Sequence, residues 1–141
     1  MSITGVLLGL GGLIPFLGTS IGLWVTDDED LLRIGLLYGA TIVSFLGGVY
    51  WGHALGAPAG IGGGRLVAAV LPSLVAWGAT LSPPLAGPPL LLLGILGTWG
   101  FEQRAALRGA LPTWYASLRH VLTFVVSGCL VADAIWVWLR W

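Results

Sequence analysis

Apolar positions run in long unbroken stretches along this chain, not in the short alternating patterns of a fold bathed in water. The first stretch, 3–25, contains no charged residue. A bilayer core about 30 Å thick takes roughly 20 helical residues, so the stretch predicts one membrane span. The run Asp27-Asp28-Glu29-Asp30 ends it. These acids predict a solvated loop that caps the next helix, where the helix dipole favours negative charge. A cation-binding rim is the sharper alternative, but four adjacent acids do not in themselves close an oxygen cage. A second span is predicted over 31–55. The Gly-rich segment 57–64 reads as a loop. It is no phosphate loop, since no Gly-Lys-Ser/Thr follows and no strand precedes. Spans three and four, 66–81 and 85–101, are short and joined by Ser82-Pro83-Pro84. They predict two thin crossings. A re-entrant hairpin shielded by protein is the alternative. Pro112 introduces the fifth span, 115–139. The pattern predicts an all-α integral membrane bundle of about five helices, one domain over 1–141.

Within the spans, small residues recur at helical spacing. Gly5/Gly9, Gly18/Gly22, Gly35/Gly39 and Gly48/Gly52 each stand four apart, a spacing that lets helix backbones approach closely. On the second span, Ala40, Ser44, Gly47 and Trp51 fall on one face, which predicts a packing seam ending in an indole. Pro15 removes a hydrogen bond near the middle of the first span and predicts a bend there. Thr19, Ser20 or a neighbouring helix is the expected partner for the carbonyl it frees.

Composition points the same way. Of the 141 residues, 57% are hydrophobic and 9% charged, against about 25% charged in a soluble domain. Lipid must therefore cover much of the surface. The formal net charge is zero, which leaves no electrostatic case for nucleic acid. All the basic residues are arginines, and their asymmetry sets an orientation. With the N-terminus inside, Arg65, Arg104, Arg108 and Arg119 lie inside, while Arg33, Arg140 and the acidic run lie outside. The expected topology is N-in/C-out. The start, Met1-Ser2-Ile3-Thr4, has no basic region, and the apolar run after it is too long for a signal peptide, so the first span is expected to be retained. The lone Cys129 offers no intramolecular disulfide, and its apolar setting disfavours a reactive thiolate.

Two sets of residues are candidates for chemistry. Asp133 lies inside the fifth span, where a carboxylate is costly and faces protein or water. It reads as a proton or cation relay or, alternatively, as a structural carboxylate hydrogen-bonded to another helix or reaching water. Arg119, Val126, Cys129, Asp133 and Arg140 share one helix face, so Arg140 is placed to reach back toward Asp133. The second set is Trp51, His53, Glu102, Trp114, Tyr115, Arg119 and His120, all at the predicted inner ends of spans two, four and five. Converging, they would pass protons or hold an anionic head group; apart, they are ordinary interfacial polarity. The two histidines would ligate haem only from facing helices, and neither sits in a motif, so no cofactor is expected. No metal-ligand spacing and no Ser-His-Asp arrangement is present, so no catalytic residue is assigned.

Several blocks carry a family resemblance: Pro15-Phe16-Leu17-Gly18, Ser44-Phe45-Leu46-Gly47-Gly48-Val49-Tyr50-Trp51-Gly52-His53-Ala54-Leu55, Leu71-Pro72-Ser73-Leu74-Val75-Ala76-Trp77, and Pro112-Thr113-Trp114-Tyr115 with Leu118-Arg119 and Leu122-Thr123. Together they resemble the bacterial and mitochondrial inner-membrane family named for transmembrane protein 69, also called domain of unknown function 3429. The resemblance implies a small polytopic membrane protein and no settled activity. It singles out Trp51, Gly52, Pro72, Trp77, Trp114, Tyr115, Arg119 and Thr123, and does not include Asp133. With no mitochondrial presequence and a Gly/Ala/Leu/Arg-rich composition, the bacterial inner membrane is the expected location. The leading expectation is a non-enzymatic accessory or assembly component. A small transporter or proton conductor using Asp133 and the inner cluster is the alternative, and a lipid-handling protein the third. The expected partners are the bilayer and other membrane helices, from a partner protein or from further copies of the chain.

Overall fold

The structure, a computed structural model, describes residues 2–56 and 63–141. The loop expected over 57–64 lies almost wholly outside them. Among the described residues there are helices and no strands: α1 (Ile3–Gly11), α2 (Leu13–Thr26), α3 (Glu29–Leu55), α4 (Gly63–Leu81), α5 (Gly87–Leu107) and α6 (Thr113–Arg140). Helices α1 and α2 together make the first predicted span. Among the described residues, four stretches are long and apolar enough to cross a membrane: Ile3–Thr26, Glu29–Leu55, Gly63–Leu81 and Thr113–Arg140. Helix α5 has 21 residues, about 30 Å at 1.5 Å per residue. Helices α4 and α5 are both longer than the stretches 66–81 and 85–101.

Local sequence explains where these helices start and stop. The Ser2 hydroxyl accepts from Gly5 N–H at 3.1 Å and opens α1. Asp27 closes α2 in the left-handed region, φ 59°, a conformation that a short polar side chain tolerates. Asp28 then caps α3 by accepting from Asp30 N–H at 3.0 Å, with Glu29 and Asp30 in the first turn. The acidic run thus works as a helix start. Prolines open α5, and Pro112 stands immediately before α6.

The first span breaks at Gly12, three residues before Pro15. Pro15 has no N–H to offer Gly11, four positions earlier. The Tyr38 hydroxyl of α3 donates to the neighbouring Gly12 carbonyl at 2.9 Å. Thr19 donates to the Pro15 carbonyl itself at 2.8 Å. Ser20 does not serve the break at all.

Helices α2 to α6 close a ring, each packed on the next and α6 returning to α2, while α3 reaches across to α5. Helix α1 lies outside this ring, against α2 and α6, and buries none of its residues. Leu23, Val43, Ala76, Ala79, Leu91 and Val137 are wholly enclosed. The outer coat is apolar as well: Leu8, Phe45, Trp77, Phe124 and Trp138 are exposed. An apolar coat of this extent is what lipid covers and water does not.

The packing seam of α3 differs from the expected one. Its buried positions are Leu32, Gly35, Leu36, Gly39, Val43, Leu46, Gly47 and Ala54, whereas Ser44 and Trp51 are exposed. A Cβ on Gly39 would collide with Leu91, and one on Gly47 would stand 2.5 Å from the Ala69 carbonyl oxygen. Small residues lie all round this helix, so spacing alone does not choose which of them meet neighbours.

Candidate functional site

Tyr115 and Arg119 stand one turn apart on α6 and therefore share a face. Both reach Glu102, near the end of α5. The Tyr115 hydroxyl donates to Glu102 Oε1 at 3.0 Å, and Arg119 Nε donates to Oε2 at 2.5 Å. Glu102 is 4% exposed and Arg119 5%. Two charges removed from water cost several kcal/mol each, and only close pairing with further hydrogen bonds offsets that. The tyrosine supplies such a bond to the second carboxylate oxygen. Arg119 lies six residues into α6, about 9 Å along its axis, so the pair sits close to one membrane boundary.

The stripe continues to Thr123, also buried. A parallel stripe one position back, Trp114, Leu118 and Leu122, faces α1. The ideal Cβ of Gly5 would stand 3.1 Å from Trp114, and that of Gly9 3.0 Å from Leu118 and 3.4 Å from Leu122. The Trp-Tyr, Leu-Arg and Leu-Thr dipeptides therefore have a common geometry. Their first members hold α1 and their second members point toward the interior side of α6.

Between these stripes and α3 lies a cavity of about 380 Å³. It is walled by apolar side chains such as Leu13, Phe16, Ile42, Leu46 and Val126, with Arg119 and Thr123 also lining it. It exists because α1 packs on α2 and α6 and leaves α3 uncovered beside it.

The other candidates lie elsewhere. His53 is exposed and lines a separate cavity of about 260 Å³ between α3, α4 and α5, together with Arg65, Arg104 and Arg108. His120 is exposed on the outer face of α6, where its Nδ1 accepts from Trp99 Nε1 at 3.1 Å. Trp51 is exposed on α3. The set expected at the inner ends thus lies on three helices without sharing a cavity. Glu102, Tyr115 and Arg119 come together, Trp114 flanks them, and His53, His120 and Trp51 face other directions. Of the further motif positions, Pro72 is buried within α4 and Trp77 points outward.

Asp133 is buried at the junction of α6 with α2, where Ser20 donates to its Oδ1 at 2.6 Å. Arg140 does not turn back to it. That guanidinium pairs with Asp27 and lies over the Trp136 ring, 4.1 Å from its centroid. Among the described residues no group of three His, Cys, Asp or Glu side chains is placed to hold a metal ion.

An apolar coat, four span-length helical stretches and buried charges joined between helices define a polytopic integral membrane protein. The chain belongs to the family described as "Protein of unknown function (DUF3429)", which it matches over residues 1–135. It is 35% identical over 133 residues to a Xenopus tropicalis protein named "Transmembrane protein 69", a match covering 91% of this chain and 52% of that protein. The Mus musculus protein of the same name is 30% identical over 120 residues, covering 82% of this chain and 49% of its own length. The chain spans about half the length of these curated relatives. No solved structure matches it.

Proposed function

We propose that this protein is a non-enzymatic accessory component of a bacterial inner-membrane complex, and that the outer face of α3 receives a helix of a partner. The observation that carries this reading is the orientation of Gly48 and Gly52. Both are exposed, and a Cβ on either would meet nothing within 4 Å among the described residues. They lie on a stripe with Phe45 and Leu55, both largely exposed. Small residues at this spacing let a second backbone approach closely, and the aromatic and aliphatic neighbours supply contact area.

The buried charges support the same reading. Glu102 and Arg119 tie α5 to α6, and Ser20 and Asp133 tie α2 to α6. Each of these groups is engaged in holding helices together, which suits a scaffold better than a proton relay. The ends of the bundle differ in charge: Arg65, Arg104 and Arg108 at one, Asp27, Asp28, Glu29 and Asp30 at the other. By the positive-inside rule the arginine end faces the cytoplasm, giving N-in/C-out.

Affinity purification from native membranes in mild detergent tests the reading. A stoichiometric membrane protein should accompany the wild type and be lost from Gly48→Leu. A monomer free of partners in native lipid would overturn it.

A further inference from the structure

Two polar side chains with unpaired donors, Arg119 and Thr123, stand in the wall of the cavity between α1, α3 and α6. Arg119 gives its Nε to Glu102, yet its Nη2 is buried with no hydrogen-bond partner among the described residues. Thr123 Oγ1 is in the same position. Both residues line the cavity, and both are more than nine-tenths buried. Buried donors left unpaired are costly, so each asks for an acceptor.

The remaining walls decide what kind of molecule would bring that acceptor. They are almost entirely aliphatic and aromatic. At the rim stand Leu8, 73% exposed, and Phe45, 67% exposed. Both belong to the apolar coat, so the cavity opens sideways into lipid. Its occupant arrives through the membrane and must carry an apolar chain.

Charge narrows the head group. Glu102 already balances Arg119 at 2.5 Å. A carboxylate or phosphate entering beside them would bring an extra negative charge into a dry apolar site, at a cost the balanced pair does not offset. An uncharged carbonyl does not carry that cost. Its oxygen has two lone pairs, one for each of the two donors.

We propose that this cavity binds a lipid-phase molecule with an apolar chain and a neutral carbonyl head, the oxygen accepting from Arg119 Nη2 and Thr123 Oγ1. Ring carbonyls of quinones and ester carbonyls of acyl lipids share this chemistry. The site shares only Phe45, at its rim, with the outer α3 stripe, and its occupancy is read on the purified chain without any partner.

The test offers the full chain, in detergent, a decyl-substituted benzoquinone, methyl palmitate, palmitate and hexadecane, with adducts counted by native mass spectrometry. One saturable adduct per chain is expected for the quinone, the ester or both, and whichever binds identifies the source. Hexadecane and palmitate should bind at least about tenfold more weakly. Thr123→Val should lower carbonyl-probe affinity severalfold while leaving the melting temperature unchanged or higher, since it removes an unpaired hydroxyl and keeps the shape. Leu46→Trp, which narrows the cavity, should abolish the adduct. Equal binding of hexadecane or palmitate, or full affinity in folded Thr123→Val, would overturn the proposal.

Discussion

Ser20 and Asp133 are 113 positions apart in the chain and 2.6 Å apart in the fold. Their hydrogen bond joins α2 to α6, the contact that closes the helix ring. A carboxyl group in the membrane interior needs a protein partner, and here a serine hydroxyl provides it.

Ser20→Ala should therefore destabilise the bundle, by about 1–3 kcal/mol, because it leaves a buried acceptor without its donor. Thermal unfolding in detergent measures this. Asp133→Asn keeps an oxygen for Ser20 and should cost less. Proton flux into reconstituted vesicles should be the same for Asp133→Asn and wild type. A changed flux with an unchanged melting temperature would restore the relay reading of Asp133.

Glu102 and Arg119 make a second, sharper case. Glu102→Gln leaves the guanidinium charge buried without its counter-charge, and Arg119→Met does the same to the carboxylate. Each should destabilise by roughly 3–5 kcal/mol, the cost typical of breaking a buried pair. The double variant Glu102→Leu with Arg119→Met removes both charges and should be milder than either single change. A double variant as damaged as the sum of the singles would show that the two residues act separately.

Glycines on α3 should divide by direction. Gly39→Ala sets a methyl group against Leu91, an overpacking that typically costs about 1–3 kcal/mol. Gly48→Leu meets open space and should leave the melting temperature unchanged. Unfolding curves of the two variants check this directly, and a strongly destabilised Gly48→Leu would place that face inside the fold.

Orientation is open to a labelling experiment in a Cys129→Ser background. Asp28→Cys should react with a membrane-impermeant maleimide from the periplasmic side, and Arg108→Cys only after the membrane is inverted. The opposite pattern would reverse the topology.

Much of the architecture is legible in the sequence, because the bilayer imposes its thickness on every crossing segment. The apolar runs fix the helices, and Pro15 announces a break, although Gly12 displaces it by a turn. Helix α4 begins earlier than its apolar run suggests because Arg65 is accommodated at an end. The candidate site is legible only in part. That Glu102, Tyr115, Arg119, His53 and His120 all stand toward helix ends follows from counting residues along each helix. Their directions do not follow, because azimuth depends on which neighbours a helix meets. His53 consequently faces Arg65, Arg104 and Arg108, and His120 faces Trp99. Ser20 carries no signal that would pair it with Asp133.

The Gly12 carbonyl receives its donor from Tyr38, 26 positions later. A chain that enters the bilayer from its N-terminus thus threads a bent first helix before the hydroxyl that serves the bend has left the insertion machinery. The bend and the bond that latches it therefore come together only once both helices are in place, so these two crossings settle as a pair.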